Sequence, residues 1–431
     1  MRRGSGVDRR TFLGLAPLLT AAGLARVEAA VRALGPLPAA AAALAEEESF
    51  WREIQSAFDV DRSLVNLNNG GVSPSPRLVQ ESFRRHLEFS NRAPSYTMWR
   101  ILEPQLENVR VRLARAFGCD PEEMAITRNA SEALETCLFG LDLARGDEVV
   151  ATDQDYPRML TALRQRAARD GIVLKLISYP SPPPSPDDVV KLYAGAIGPR
   201  TRAILVSHMT FTAGEILPVR EICALGHERG IPVVVDGAHA FAHLPFRRDD
   251  LGCDYYGTSL HKWLMAPIGA GFLYVRRERI PSLWPLMAAP ESMRADVRKF
   301  EEIGTHPAAN HQAIAEALTF HEGLGAERKA ARLRHLRDRW AARAKDLPGV
   351  RFRTGLGEGR SCAIVSVGFE GVESSQLATH LFEKHRIIVT SVDVSGQWEA
   401  IRVSPSVYTT LEEIDIFSDA LEKAVRGGLP G

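Results

Sequence analysis

Between residues 124 and 275, short β-branched runs alternate with segments of helical length. This alternation restricts the chain to a mostly parallel sheet covered by helices on both faces. Strands are expected at 124–127, 148–151, 173–178, 203–207, 232–235, 255–258 and 271–275, with helices at 131–143, 157–170, 187–196 and 219–229. Parallel neighbours cannot be joined by a tight turn, so each pair needs a crossover, and the intervening helices supply it. The run Ile231-Pro232-Val233-Val234-Val235 is apolar at every position, as a strand buried on both faces must be. Ser181-Pro182-Pro183-Pro184-Ser185-Pro186 reads as a surface loop, because the same alternation resumes on either side of it.

The flanks have a different character. Ahead of the alternating region come a short helix at 46–57, a turn-rich stretch at 64–76 centred on Asn68-Asn69-Gly70-Gly71, and helices at 76–91 and 103–117. After it, a long helical region covers 310–346. Strands at 361–369, 387–392 and 401–404 and helices at 374–385 and 411–425 then form a small α+β domain. The expected division is a signal and linker (1–45), an N-terminal segment (46–95), a large domain (96–325) and a small C-terminal α+β domain (326–431). Gly355-Leu356-Gly357-Glu358-Gly359 joins strands with no helix after it, which favours a hairpin loop over a nucleotide fingerprint.

Bulk properties exclude several classes. Lys+Arg and Asp+Glu both number 53, and no basic patch is interleaved with aromatics, so nucleic acid and acidic membranes are not expected partners. Cys119, Cys137, Cys223, Cys253 and Cys362 are odd in number, far apart and never in a C-x-x-C pair, which argues against a disulfide framework or a zinc site. Most lie beside apolar residues, as buried inert thiols do. At the N-terminus, Arg9-Arg10-Thr11-Phe12-Leu13 leads into an uncharged apolar run at 13–24. That pattern reads as a twin-arginine (Tat-type) export signal; the alternative is a basic tail before an amphipathic helix. The run falls short of the roughly 20 residues a membrane span needs. Cleavage near Val27-Glu28-Ala29 or within 38–45 would give a periplasmic or exported protein. The pathway carries folded proteins, so a cofactor would be acquired in the cytoplasm.

Against this frame, two runs carry chemistry: Asp236-Gly237-Ala238-His239 at the end of one apolar strand, and Ser259-Leu260-His261-Lys262 at the end of a later one. A lysine amine and a carboxylate at neighbouring strand ends are what pyridoxal 5′-phosphate requires: the amine holds the cofactor as a Schiff base and the carboxylate pairs with its ring nitrogen. The apolar Trp263-Leu264-Met265 after Lys262 would desolvate the amine and lower its pKa. Asp236 is either that partner or a strand-end cap. Ser131, in Arg128-Asn129-Ala130-Ser131-Glu132, is a helix N-cap, and the same terminus can bind a phosphate with Ser259 and His261. Tyr156 is either a ring stacked on the cofactor or a packed loop tyrosine. Arg402 is either an outward strand charge or a clamp for a substrate carboxylate. His239-Ala240-Phe241-Ala242-His243 has metal-like spacing but no third ligand.

Together these runs resemble the class V aminotransferase family of fold type I pyridoxal phosphate enzymes. The resemblance spans residues 67–425. Gly304-Thr305 looks like the family's Gly-Thr turn, and residues 401–408 look like its carboxylate-binding strand. The resemblance implies an α/β fold, with a large domain on a mostly parallel seven-stranded sheet plus a small C-terminal α+β domain. It implies a homodimer with sites at the interface. It makes Lys262 the cofactor lysine, Asp236 the pyridinium partner and Tyr156 the stacking ring. His239 lies at the phenolic oxygen. Ala130, Ser131, Ser259 and His261 hold the phosphate, with Thr305 reaching it in the partner subunit's site. Arg402 takes the substrate carboxylate, with Asn69 also among the substrate contacts. The implied activity acts on an amino acid or similar amine through an external aldimine and an α-carbanion, with Lys262 as base. The outcome is epimerisation, transamination or β-elimination, or the chain is a non-catalytic cofactor binder. Asn68-Asn69-Gly70-Gly71-Val72-Ser73-Pro74 and Gly304-Thr305-His306-Pro307 most resemble the isopenicillin N epimerase-like branch. Opposite-face reprotonation needs a second acid, for which Tyr96 and Tyr156 are candidates. Residues 92–100, with Tyr96 and Trp99, are expected to shape the substrate pocket. Cysteine desulfurases share the fold but need a thiol on a small-domain loop; none occurs between Val389 and Arg402, and Cys362 is expected mid-strand.

Overall fold

The computed structural model describes residues 37–428 except residue 395. The signal-like segment lies outside the described residues. Among the described residues the strands follow in order: β1 (Val65–Asn66), β2 (Met124–Thr127), β3 (Glu148–Thr152), β4 (Val173–Ile177), β5 (Thr201–Ser207), β6 (Val233–Asp236), β7 (Tyr255–Ser259), β8 (Gly271–Val275), β9 (Val350–Phe352), β10 (Val365–Phe369), β11 (Ile387–Ile388), β12 (Thr390–Val394) and β13 (Trp398–Val403).

The alternating region folds into a seven-stranded sheet of order β2-β8-β7-β6-β5-β3-β4. Neighbours from β7 through β4 are parallel, and β8 runs antiparallel to both β7 and β2. The sheet is therefore parallel except for β8. β3, β6, β7 and β8 are buried at every position, which accounts for the dominance of apolar residues in them. Two hydrophobic layers form on its faces. One is centred on Phe117, Ile204, Val235 and Phe272, the other on Leu134, Leu163, Val234 and Leu273. Val234 and Val235 thus serve opposite layers, as the two-residue period of a strand requires. In such sheets ligands gather beyond the carboxyl ends of the strands, and Asp236 and Ser259 are the last residues of β6 and β7.

The C-terminal part forms a four-stranded sheet of order β12-β13-β10-β9. It packs with the helices Ala326–Ala344, Ser374–His385 and Leu411–Gly427 around Trp340, Val367, Leu381 and Phe417. The glycine-rich run at 355–359 falls between the antiparallel strands β9 and β10. β1 pairs in parallel with β11, and Asn68 bridges to Ser404 beyond β13. The turn-rich N-terminal segment is thereby drawn against the end of the strand that carries Arg402.

Several expectations change. The helical region at 310–346 is three helices, Ala308–Gln312, Ile314–Leu324 and Ala326–Ala344. The last break falls at Gly325, whose φ of +85° ends the preceding helix. The strand at 387–392 divides into β11 and β12, because its two ends pair with different partners. β10 begins only at Val365, so Cys362 precedes the strand instead of lying within it. Residues 37–45, alanine-rich, form the helix Leu37–Ala45, and the carbonyl of Ala45 accepts from the buried Arg332 (2.8 Å).

Gly237 shows why one position tolerates no side chain. A Cβ there would sit 1.9 Å from Cζ of the fully buried Tyr256. Tyr256 is wedged against Phe117 and Phe272 and cannot retreat. Gly237→Ala is expected to lower stability by about 3 kcal/mol through overpacking, read as a reduced urea midpoint.

Candidate active site

The strand ends open into a cavity of about 510 Å³. Its wall carries Ala130, Ser131, Tyr156, Asp236, His239, Ser259, His261, Lys262 and Arg402. All nine were singled out from sequence, and they converge from positions up to 272 residues apart in a 431-residue chain (402 − 130 = 272).

At the centre, Nζ of Lys262 lies 3.3 Å from Nε2 of His239. Burial pushes the Lys262 amine down to about 8; Asp236 opposes the shift and Arg402 adds to it. Burial, with Lys262 and Arg402 nearby, holds His239 well below the usual histidine range, so its ring is neutral. The Asp236 carboxyl is raised by burial, against which the Ala238 amide (2.9 Å to Oδ1) and Lys262 work. Lys329 is more deeply buried than the partly buried Lys262 and is pushed further, to about 7, yet it does not line the cavity; it donates to the Trp263 carbonyl. A depressed amine alone would select the wrong lysine, and position beside Asp236 and His239 selects Lys262.

On one side lies the start of the helix Ala130–Gly140. Its N-cap is Asn129, whose Oδ1 accepts from the Glu132 amide (2.9 Å), and not Ser131 as expected. The reason is register: the helix begins one residue early, which frees the Ser131 hydroxyl of any partner among the described residues. Ser259 Oγ accepts from the Ala130 amide (2.9 Å). His261 has a buried Nδ1 with no partner, and burial lowers its pKa to about 4. A helix N-terminus, two hydroxyls and an unpaired imidazole nitrogen make a seat for a phosphate.

On the other side is Arg402. Its guanidinium donates to the Phe211 carbonyl (2.7 Å) and to Asn68 Oδ1 (3.0 Å). Its Nε is buried without a partner, and among the described residues no carboxylate pairs with it. Burial pulls its pKa down to about 10, so it remains a cation at neutral pH. A buried, unpaired cation is costly to the fold and waits for an anion. Tyr156, 38% exposed, meets Phe211 edge-on with ring centroids 5.2 Å apart above the cavity.

Three expected contacts lie elsewhere. Asn69 does not line the cavity: its amide donates to the Asn66 and Ser404 carbonyls (3.0 Å each) and its Oδ1 accepts from the Tyr408 hydroxyl (2.7 Å). Those bonds consume the side chain as a tie between segments, and its neighbour Asn68 touches Arg402 instead. Thr305 lines a separate cavity of about 400 Å³ with Trp99, Glu302 and His306. Tyr96 is 61% exposed and also lies outside the central cavity. Sequence reading missed Ser207, Met209, Thr390, Ser391 and Asp393, all of which line the cavity. Ser207 carried a usable signal, since it ends the strand beside Asp236. The β12 residues carried none, because only the folding of the small sheet brings them over the cavity.

No cysteine lines the cavity. The Cys253 and Cys362 thiols are pushed up to about 12 and about 11 by burial.

Three known proteins place this geometry. The model of the class-V aminotransferases matches residues 65–417. Isopenicillin N epimerase of Streptomyces clavuligerus is 32% identical over 392 residues, covering 86% of this chain and 98% of the relative. The apo structure of a cysteine desulfurase from Thermococcus onnurineus NA1 superposes with a TM-score of 0.75 at 24% identity, over 85% of this chain and 95% of that one. A C-DES variant with glycine covalently linked to its PLP cofactor superposes with a TM-score of 0.73 at 23% identity, over 83% and 96% of the two chains. These structural likenesses establish a fold type I α/β architecture.

Proposed function

The chain belongs to the class-V aminotransferase family, whose cofactor is pyridoxal 5′-phosphate, and from that premise we propose that it epimerises an amino acid or an amino-acid-like amine. The observation that carries the chemistry is the convergence, in one cavity, of the partly buried Lys262 amine, the Asp236 carboxylate and an Arg402 guanidinium with no carboxylate partner among the described residues. The orphaned His261 Nδ1 and Arg402 Nε and the free Ser131 hydroxyl fit a cofactor phosphate and a substrate carboxylate.

In this reading, Ala130, Ser131, Ser259 and His261 would hold the cofactor's phosphate, Asp236 would keep its ring nitrogen protonated, and Tyr156 and His239 would hold its ring. When bound, the cofactor withdraws electrons from the substrate α-carbon, making its proton acidic. Lys262 takes that proton, its burial having brought its pKa to about 8 and thus near working pH. Arg402 fixes the carboxylate and so aims the α-hydrogen at Lys262. Tyr156 is the better candidate for the second face, since it lines the cavity and Tyr96 does not.

Epimerisation is favoured by the isopenicillin N epimerase relative and by the Asn68–Pro74 and Gly304–Pro307 patterns. A persulfide-forming desulfurase is disfavoured, because Thr390, Ser391 and Asp393 line the cavity wall where a thiol would be needed. A homodimer suits Thr305, which faces another cavity in its own chain and would reach the partner's phosphate. The twin arginine supports export, and cleavage at Val27-Glu28-Ala29 would leave the helix Leu37–Ala45 whole.

The test is incubation of the holoenzyme with single-enantiomer amino acids and dipeptides in deuterated water. An epimerase incorporates deuterium at the α-carbon and yields both configurations without keto acid. Keto acid would mean transamination, and released ammonia or sulfide would mean elimination. No α-exchange with any substrate would overturn the catalytic reading and leave a cofactor binder.

A further inference from the structure

Asp155 is a buried carboxylate outside the cavity, and it has no use in the chemistry above. It is 1% exposed and directly precedes Tyr156. Its Oδ1 accepts from the Ser207 hydroxyl (2.7 Å) and its Oδ2 from the Thr152 amide (2.8 Å). Ser207 lines the cavity and stands opposite Asp236 in the β5–β6 register. Ser207, at the end of β5, thus binds Asp155 in the turn after β3 and is the register neighbour of Asp236 at the end of β6.

We propose, resting on the pyridoxal phosphate reading, that Asp155 is a positioning residue that acts through Ser207 to keep Asp236 basic and the cofactor's ring nitrogen protonated. With Asp155 ionised, the Ser207 proton is committed to it, and Ser207 offers Asp236 no donor that would weaken it as a base. The Asp155 charge adds to the negative potential around Asp236. Asp155 is faced by Asp236, Tyr179 and Tyr193, and Asp236 in turn by Lys262 and Tyr256; no cation pairs with Asp155 among the described residues. Burial, with Asp236 contributing, raises the Asp155 carboxyl to about 6. An asparagine could accept from the Thr152 amide and donate its own N–H to the Ser207 hydroxyl, reversing that second bond, without the burial cost of a charge. The fold therefore does not require the carboxylate, and a retained buried charge points to the site.

The raised pKa also gives a stability signature. Between the unfolded value of 3.8 and about 6 the native state binds the extra proton, so Asp155 removes stability as pH rises through that window. Asp155→Asn is accordingly expected to be at least as stable as the parent at pH 7.

The deciding measurement is the pH dependence of the 15N shift of ring-labelled pyridoxal phosphate bound to the parent, Asp155→Asn and Ser207→Ala. The ring nitrogen of Asp155→Asn should lose its proton about one pH unit earlier, a roughly tenfold loss of proton affinity, and Ser207→Ala, which takes from Asp155 a hydrogen bond that keeps it ionised, should move the same way by less. Identical titrations in all three would reduce Asp155 to a turn residue and overturn the proposal. If Asp155→Asn fails to fold, Ser207→Ala decides alone. A parent that takes up no cofactor would sink the cofactor reading itself, an outcome distinct from unchanged titration.

Discussion

Lys262→Ala is expected to lose the visible absorption of lysine-bound cofactor and to drop α-proton exchange by about 10⁴-fold, the upper range for removing a general base. The variant should still bind pyridoxal phosphate, because Ser131, Ser259, His261 and Asp236 are untouched. Lys329→Met is the control: that amine is more deeply buried but does not line the cavity, so its loss should leave the absorption band intact. If the Lys329 variant lost the band and the Lys262 variant kept it, the assignment would be reversed. The pH dependence carries a sign as well. Attack on the cofactor needs the neutral amine, and burial has lowered the Lys262 pKa from 10.5 to about 8. Cofactor uptake by the apoprotein should therefore accelerate as pH rises through about 8 and level off above it. Continued acceleration toward 10.5 would mean that the lysine is solvated.

The second large effect is expected at Arg402. Arg402→Met should raise KM for α-carboxylate substrates by about 10²-fold, near 3 kcal/mol, the loss expected when a buried charge-assisted pair cannot form. An amine without a carboxylate should bind the variant and the parent alike. Apoprotein stability should move the other way: removing a buried guanidinium with no carboxylate partner among the described residues relieves its desolvation cost, so Tm should hold or rise. A lower Tm with unchanged KM would make Arg402 a structural tie through Phe211 and Asn68 alone. Arg402→Lys should recover little, since an ammonium cannot reproduce the bidentate fork.

The two asparagines of the Asn68-Asn69 pair separate what a local motif can say from what it cannot. The turn chemistry of the segment was legible, but which amide meets the ligand side was not. Asn69 is consumed by Ser404 and Tyr408, more than 330 residues away, and Asn68 is left to hold Arg402. The N-cap at Asn129 instead of Ser131 is a two-residue shift of the cap, which local pattern rarely resolves. It matters here because it leaves the Ser131 hydroxyl free. The division of 387–392 into two strands depends on pairing with β1 and β13, and no periodicity within six residues reports partners so distant.

What the sequence determined by itself was the parallel sheet and the ends of its strands. Burial on both faces forces continuous apolar runs, and the polar residues that interrupt them, Asp236 and the Ser259-to-Lys262 run, mark where the chain leaves the sheet. Only the tertiary structure decided which asparagine reaches Arg402, which carboxylate stands behind Ser207, and that Thr390, Ser391 and Asp393 line the cavity. Those choices depend on distances between segments far apart in the chain, and such distances are set by packing of the two sheets, which local sequence does not encode.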